Sequence, residues 1–215
     1  MKMQYGKRVF LFAILGLIAG LFPMTQVVAA DLLAPQVAIE KTSNELKEKL
    51  QEEGFSQDFA QINVFVEEVI NPHVDFNRIS ALVLGKLWKK ATKDERVRFK
   101  DEFKILLVRT YSRAFVEFKD WSVRFLPLKL TESTKKVIVK TEILQPGIQP
   151  LAVNYRMVLR KGKWKVYDIM IEGVSLVTNY RSSIKGEFKK SGSLSAVIEK
   201  LSKRNMAALA AKDNS

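Results

Sequence analysis

The chain has 215 residues, with 36 lysines and arginines against 23 acidic residues, one histidine and no cysteine, for a formal net charge of +13. That length fits one domain or a small pair, and a composition that is 47% hydrophobic and 10% aromatic can bury a sizeable core, which excludes global disorder and fibrous repeats. The missing cysteine excludes disulfide scaffolds, thiolate metal sites and cysteine nucleophiles, and a single histidine removes most histidine-based metal and triad chemistry. What remains is a basic globular protein whose charge implies an anionic partner, with nucleic acid, a membrane surface and an acidic ligand still undistinguished.

The N-terminus narrows that choice. Lys2, Lys7 and Arg8 form a positive start, Val9 to Phe22 is an unbroken apolar and glycine run, and Pro23 leads to small residues ending at Ala29 and Ala30. This pattern predicts a cleaved signal peptide over residues 1–30. The apolar run, about 14 residues, is shorter than the roughly 20 needed to cross a bilayer, and Val28 and Ala30 suit the −3 and −1 positions of a cleavage site before Asp31. Cleavage leaves 33 basic residues against 23 acidic ones, a mature charge of about +10. An exported chain seldom meets nucleic acid, so no nucleic-acid partner is expected and the charge turns toward membranes and their complexes. An oxidising compartment also accommodates a chain free of cysteine.

In the mature chain helices come first. Val37, Leu46 and Leu50 give a helical face across residues 34 to 53, ended by Gly54. Phe59, Ile62, Phe65, Val66 and Val69 repeat at three and four residues and predict an amphipathic helix up to Asn71 and Pro72. Asp75 can cap a third helix carrying Phe76, Ile79, Leu82, Val83 and Leu87. Thr92 and Glu95 form a capping box that opens the longest helix, whose apolar face is Phe99, Phe103, Leu106, Leu107, Tyr111, Ala114, Phe115 and Phe118.

After Trp121 the period changes from 3.6 to 2. Four strands are predicted, Trp121 to Leu126, Val137 to Leu144, Leu151 to Arg160 and Lys163 to Ile171. Thr131 to Lys136 reads as a polar turn, Pro146 and Gly147 as the middle of a type II turn, and Lys161 and Gly162 as a tight hairpin, which together imply an antiparallel meander. In the third strand Val153, Tyr155, Met157 and Leu159 point one way while Asn154, Arg156 and Arg160 point the other, so the long helix is expected on the apolar side. Two more helices close the chain, from about Val174 to Lys190 and from near Ser193, with a frayed tail over residues 206–215. The expected class is α+β, with helices packed on one face of a highly curved antiparallel sheet of about four strands, in a single domain over residues 31–205.

Catalytic patterns are sparse. There is no phosphate-cradling glycine loop, no glycine-flanked nucleophile elbow and no paired-histidine metal motif, so neither a metal nor a cofactor is expected. Ser133 with Lys136 and Ser182 with Lys185 have the spacing that lets a lysine activate a serine, but neither pair has its partner motifs. His73 follows Pro72 at a helix end, where it suits capping or the surface. Asp168 lies in an apolar strand beside Tyr167, where a carboxylate in a cone-shaped α+β pocket acts as a general base or is hydrogen-bonded at the sheet edge.

Residues 82 to 115, LVLGKLWKKATKDERVRFKDEFKILLVRTYSRAF, and 164 to 184, WKVYDIMIEGVSLVTNYRSSI, closely resemble the MlaC family, the periplasmic phospholipid-binding proteins of the Mla pathway, also called the toluene-tolerance auxiliary family. The resemblance is densest in Val83-Leu84-Gly85, Ala91-Thr92 and the run from Trp164 through Tyr180-Arg181. Glu95 stands where the family often has Gln, and Ser183 and Ile184 depart from its common Gln-Phe. The resemblance implies a soluble, monomeric periplasmic carrier that is not an enzyme. Such a carrier takes a glycerophospholipid between an outer-membrane Mla lipoprotein-porin complex and an inner-membrane MCE/ABC transporter complex, and so maintains outer-membrane asymmetry.

Physical chemistry agrees with such a role. At about 0.8 kcal/mol per methylene, two acyl tails of about fifteen methylenes each cost on the order of 24 kcal/mol in water, which an enclosed apolar cavity offsets. The candidate lipid-binding walls are Phe103, Leu107 and Tyr111 on the long helix, Tyr155, Met157, Val166 and Ile169 on the sheet, and the flanking Val83, Trp88, Val174 and Tyr180. Each of these is equally an ordinary core position by residue type. Arg156, Arg160, Lys161, Lys163 and Lys165 cluster on the outer strand face and hairpin, with Lys185, Lys189 and Lys190 on the following helix. They read either as a solvated face or as electrostatic docking sites for acidic partner subunits and transient contact with an anionic membrane surface.

Overall fold

The computed structural model describes residues 31–55, 58–117 and 120–210. The predicted signal peptide and the end of the C-terminal tail lie outside these residues, as do the side chains of Ala114, Phe115 and Phe118 on the predicted face of the longest helix. Helices α1 (Ala34–Leu50) and α2 (Phe59–Phe65) lead through a π-helical turn (Val66–Ile70) and a 3-10 turn (Asn71–His73) into α3 (Phe76–Leu84), α4 (Lys86–Lys90) and α5 (Lys93–Glu117). Strands β1 (Ser122–Phe125), β2 (Lys136–Gln145), β3 (Ile148–Arg160), β4 (Lys163–Ile171) and the short β5 (Val174–Ser175) follow, and α6 (Leu176–Ser191) and α7 (Leu194–Ala210) close the fold. The helices pack against one open antiparallel sheet in the order β1-β2-β3-β4-β5. Among the described residues no helix is long and apolar enough to cross a membrane.

Local chemistry accounts for most boundaries. Asp75 caps α3 by accepting from the Arg78 amide at 3.0 Å. Thr92 and Glu95 form the reciprocal box, with the Glu95 amide donating to the Thr92 hydroxyl (3.1 Å) and the Thr92 amide donating to the Glu95 carboxylate (2.9 Å). Ser195 at the start of α7 also donates to Glu95, so one carboxylate ties two helix starts together. The Thr92 amide, then the Ser195 hydroxyl, hold the Glu95 carboxyl below its usual range. At the β3–β4 hairpin Lys161 and Gly162 both have positive φ, 48° and 76°, as a type I′ turn requires.

Three expectations change. The third predicted helix breaks at Gly85, whose φ of 57° and ψ of −117° end α3 and start α4. The long helix α5 packs against α7 and α3, while the apolar face of the sheet packs on Ile39 and Ala38 of α1. This reversal follows from α1's anchoring: the buried Gln36 side chain donates to the Leu126 carbonyl (3.1 Å) and accepts from the Leu33 amide (3.0 Å), which holds the helix beside the residue that follows β1. The last helix also runs on past Asn205 to Ala210. Asn205 is itself buried and donates to the Glu102 carbonyl at 2.9 Å, fastening α7 to α5.

Gly85 has a second constraint, because a Cβ there would sit 3.3 Å from both Nε and Nη2 of Arg181 on α6. Gly85→Ala should therefore cost on the order of 1–3 kcal/mol through its backbone conformation, with a smaller steric share from Arg181. Urea denaturation of Gly85→Ala, Arg181→Ala and the double variant measures that share as the part of the loss that Arg181→Ala relieves.

Candidate functional site

The interior is built as separate apolar groups. A helical cluster contains Ile79, Val83, Leu84, Phe99, Phe103, Ile184, Val197 and Ile198, with Trp88, Leu107, Tyr167 and Tyr180 packed against it. A sheet cluster contains Ile39, Val139, Met157 and Val166, with Tyr155, Trp164 and Ile169 against it. Val74 packs against both, and it pairs with Val166 in an isolated parallel bridge. A third group, Phe55, Ile62 and Phe65, lies beneath Leu46 and Leu50.

The predicted lipid-contacting residues divide along these lines. Val83, Trp88, Phe103, Leu107 and Tyr180 fall in the helical cluster, where the Phe103 and Tyr180 rings meet edge to face at 5.1 Å. Tyr111 joins them through a hydroxyl contact with Tyr180. Burial first, then that hydrogen bond, raise its phenol well above the ordinary value. Tyr155, Met157, Val166 and Ile169 fall in the sheet cluster. Val174 belongs to neither, being 58% exposed on β5 at the sheet edge.

A strict alternation cannot put both Val166 and Ile169 on one face, because they are an odd number of residues apart. The register supplies the answer: Met157 pairs with Val166 while Arg156 pairs with Asp168, so Tyr167 is the extra residue of a β-bulge. Tyr167 turns into the helical cluster, where the Arg78 guanidinium lies 4.4 Å from its ring centroid.

Asp168 is 3% exposed and fully engaged. It accepts from the Ser175 hydroxyl (2.7 Å), the Val177 amide (3.1 Å) and Arg156 Nη1 (3.3 Å). Ser175 is the N-cap of α6, so the carboxylate binds the positive end of that helix to the sheet. The other catalytic candidates are similarly occupied: the Ser133 hydroxyl bonds Thr131 and the Ser182 hydroxyl donates to the Thr178 carbonyl. His73 sits in the 3-10 turn, where burial lowers its pKa. Among the described residues no group of acidic or histidine side chains has the arrangement to hold a metal.

A groove of about 510 Å³ opens between α5, α6 and α7. Leu106, Tyr180, Ile184, Val197 and Leu201 form its apolar part, and Arg109, Lys190, Lys200 and Arg204 supply positive charge. Sequence reasoning missed this combination because Arg109 falls on the long helix's otherwise apolar stretch and Lys200 and Arg204 on a separate helix. Of the predicted docking cations, Arg156 pairs with Asp168 and Arg160 with Asp75 at 3.7 Å, whereas Lys161 and Lys163 are exposed. Lys165 lines a second cavity of about 330 Å³ with Lys100, Lys104 and Phe76.

These features define a class: an α+β domain of helices on an open five-stranded antiparallel sheet, with aromatic and hydrocarbon walls inside. The sequence model of the MlaC protein family matches residues 40–203, and the chain belongs to that family. It is 23% identical over 186 residues to the intermembrane phospholipid transport system binding protein MlaC of Haemophilus influenzae, covering 84% of this chain and 86% of that protein. It is 24% identical over 128 residues to the toluene tolerance protein ttg2D of Pseudomonas putida, covering 59% of each. A phospholipid-binding protein from Ralstonia solanacearum, solved in complex with a phospholipid, superimposes with a TM-score of 0.76 at 24% identity, over 82% of this chain and 99% of that one.

Two predictions follow from the site's polar groups. Asp168→Ala strips three hydrogen bonds from a buried carboxylate site and should cost on the order of 2–3 kcal/mol, seen as a lower urea midpoint at unchanged slope. Burial pushes the Tyr155 phenol up to about 12, against a smaller opposing effect of its bond with Thr141. A folded-state value above the unfolded value of about 10 stabilises the native state below pH 10, and that contribution is lost as pH rises toward 12. Denaturation midpoints measured across this window should fall less steeply for Tyr155→Phe than for the parent chain.

Proposed function

We propose that this protein is an exported, monomeric carrier that binds a glycerophospholipid by its acyl tails and moves it between membranes without chemistry on the lipid. The observation that carries this reading is the match of residues 40–203 to the MlaC family in a chain whose interior is divided into helical and sheet walls meeting at Val74. Tails enter between those walls, with Phe103, Leu107, Tyr111, Tyr180, Val83 and Trp88 on one side and Tyr155, Met157, Val166 and Ile169 on the other. Val174 stands at the mouth, where its exposed side chain meets the glycerol end of the guest. Methionine and aromatic walls adapt to mixed chains, and a head group left near water needs few dedicated contacts.

In this reading residues 1–30 are the export signal, residues 31–205 are the lipid-binding domain, and the compartment is the periplasm. The donors and acceptors are an outer-membrane Mla lipoprotein-porin complex and an inner-membrane MCE/ABC transporter complex, as the family's role implies, and the transfer maintains outer-membrane asymmetry. The use of Asp168 to hold Ser175, Val177 and Arg156 supports a structural rather than a basic role for that carboxylate.

The direct test is native mass spectrometry of the mature protein followed by solvent extraction. A stoichiometric phospholipid mass is expected, and repeated absence of lipid with no uptake from liposomes would sink the carrier reading. Leu107→Glu and Ile169→Glu each place a carboxylate against a proposed tail wall, and each should abolish co-purified lipid while far-ultraviolet circular dichroism stays that of a folded α+β protein. Retention of stoichiometric lipid by both variants removes these walls from the site.

A further inference from the structure

Six of the cations that the fold leaves unpaired lie where the chain's glycine break meets α6. On α6, Arg181, Lys185 and Lys189 recur every four residues and therefore share one face. On α4, Lys86, Lys89 and Lys90 follow directly after Gly85. Gly85 and Arg181 are in contact, so both sets radiate from a single point. At 1.5 Å per residue, Lys90 lies about 8 Å along α4 from Gly85, and Lys189 about 12 Å along α6 from Arg181.

All six residues are exposed, and among the described residues none is in an ion pair. Helix α4 has no acidic residue. The single carboxylate of α6, Glu187, faces Lys200 and Arg204 of α7. At the hairpin, by comparison, Arg156 and Arg160 are paired within the fold while Lys161 and Lys163, with Lys135 and Lys136 at the start of β2, are exposed and, among the described residues, unpaired.

We propose that the α4–α6 face docks on an anionic phospholipid bilayer. Three observations favour a lipid surface over an acidic protein. Among the described residues the large exposed apolar ones are Val37, Val64, Val97, Ile138, Ile148, Val174 and Met206, and none lies on α4 or α6, so the face lacks the apolar centre of a protein interface. Neither of the surface cavities described above reaches any of the six cations. Five of the six are lysines, which are depleted from protein interfaces but act additively as point charges on a diffuse anionic surface, each worth about fivefold in partition. Arg181 lies against the bare backbone of Gly85, and the flexible lysines around it follow mobile phosphates. The purpose of such docking rests on the carrier reading, since a carrier near a leaflet finds its membrane complexes by a two-dimensional search, but the binding itself does not require bound lipid.

The test uses flotation of the mature protein with vesicles of phosphatidylcholine alone and of phosphatidylcholine mixed with phosphatidylglycerol. Binding to the anionic vesicles only is expected, weakening as salt is raised. Combined Lys86→Gln, Lys89→Gln, Lys185→Gln and Lys189→Gln should reduce it at least tenfold, while Lys161→Gln with Lys163→Gln on the hairpin should reduce it far less. Equal binding to neutral vesicles, unchanged binding by the four-residue variant, or capture by soluble polyglutamate without any vesicle binding would each overturn the proposal. Phospholipid extracted from the same variant reports separately on the carrier reading, so loss of one property is distinguishable from loss of the other.

Discussion

Four consecutive residues of β4 serve three environments, and the architecture hangs on that. Val166 and Ile169 face the sheet cluster, Tyr167 enters the helical cluster, and Asp168 holds the start of α6. A regular strand offers two faces only, so the arrangement demands the bulge at Tyr167. Placing a carboxylate at 3% exposure is costly unless every lone pair is used. The Ser175 hydroxyl, the Val177 amide and Arg156 meet that demand, and in doing so they fix α6 on the sheet. Helix α6 then carries Tyr180 to Phe103 and Arg181 to Gly85, so the polar cluster that fixes α6 on the sheet also positions these two contacts.

The same device keeps the two principal apolar groups apart. A domain of this size commonly has one contiguous core with satellites beneath its loops. Here the helical and sheet clusters are both substantial, and among the described residues Val74 is the side chain that packs against both. Between them β4 supplies further ties, Tyr167 in the helical cluster and Asp168 on Ser175 and Val177. The helical cluster is braced separately, through Asn205 to Glu102 and through the Glu95 bonds to Thr92 and Ser195.

Much of the fold was legible because its signals are local. The Thr92–Glu95 box, the Asp75 cap and the Lys161–Gly162 hairpin each act over a few residues, and the structure has all three. What was not legible depends on contacts between distant segments. The third predicted helix runs through Gly85 by periodicity alone, whereas Gly85 takes a positive-φ conformation that breaks it, with the Arg181 side chain from far along the chain packed against that break. The period-2 pattern of β4 gives no sign of the bulge, and the aromatic face of α5 does not announce whether helices or sheet will cover it. Nor does the pattern of outward charges separate Arg156 and Arg160, which the fold uses, from Lys161 and Lys163, which remain exposed. The candidate site is legible only in part for the same reason: residue type identifies hydrocarbon walls, while their grouping into two clusters is a property of the tertiary register.

This partition changes what the basic composition means. A formal charge of +13 describes the chain, but the fold sorts its cations into those with an assigned partner and those left to solvent. Glu187 takes Lys200 and Arg204, Glu67 takes Lys104, Asp75 takes Arg160 and Asp168 takes Arg156, all close to cavities or element junctions. Such pairs contribute to position more than to long-range potential, because each carries its own counter-charge. Among the described residues Lys86, Lys89, Lys90, Lys185 and Lys189 are in no such pair, and within about a Debye length of the surface a potential several residues wide comes mainly from charges of that kind. Net charge therefore sets the sign of any encounter, while the distribution of carboxylates sets the face on which it occurs.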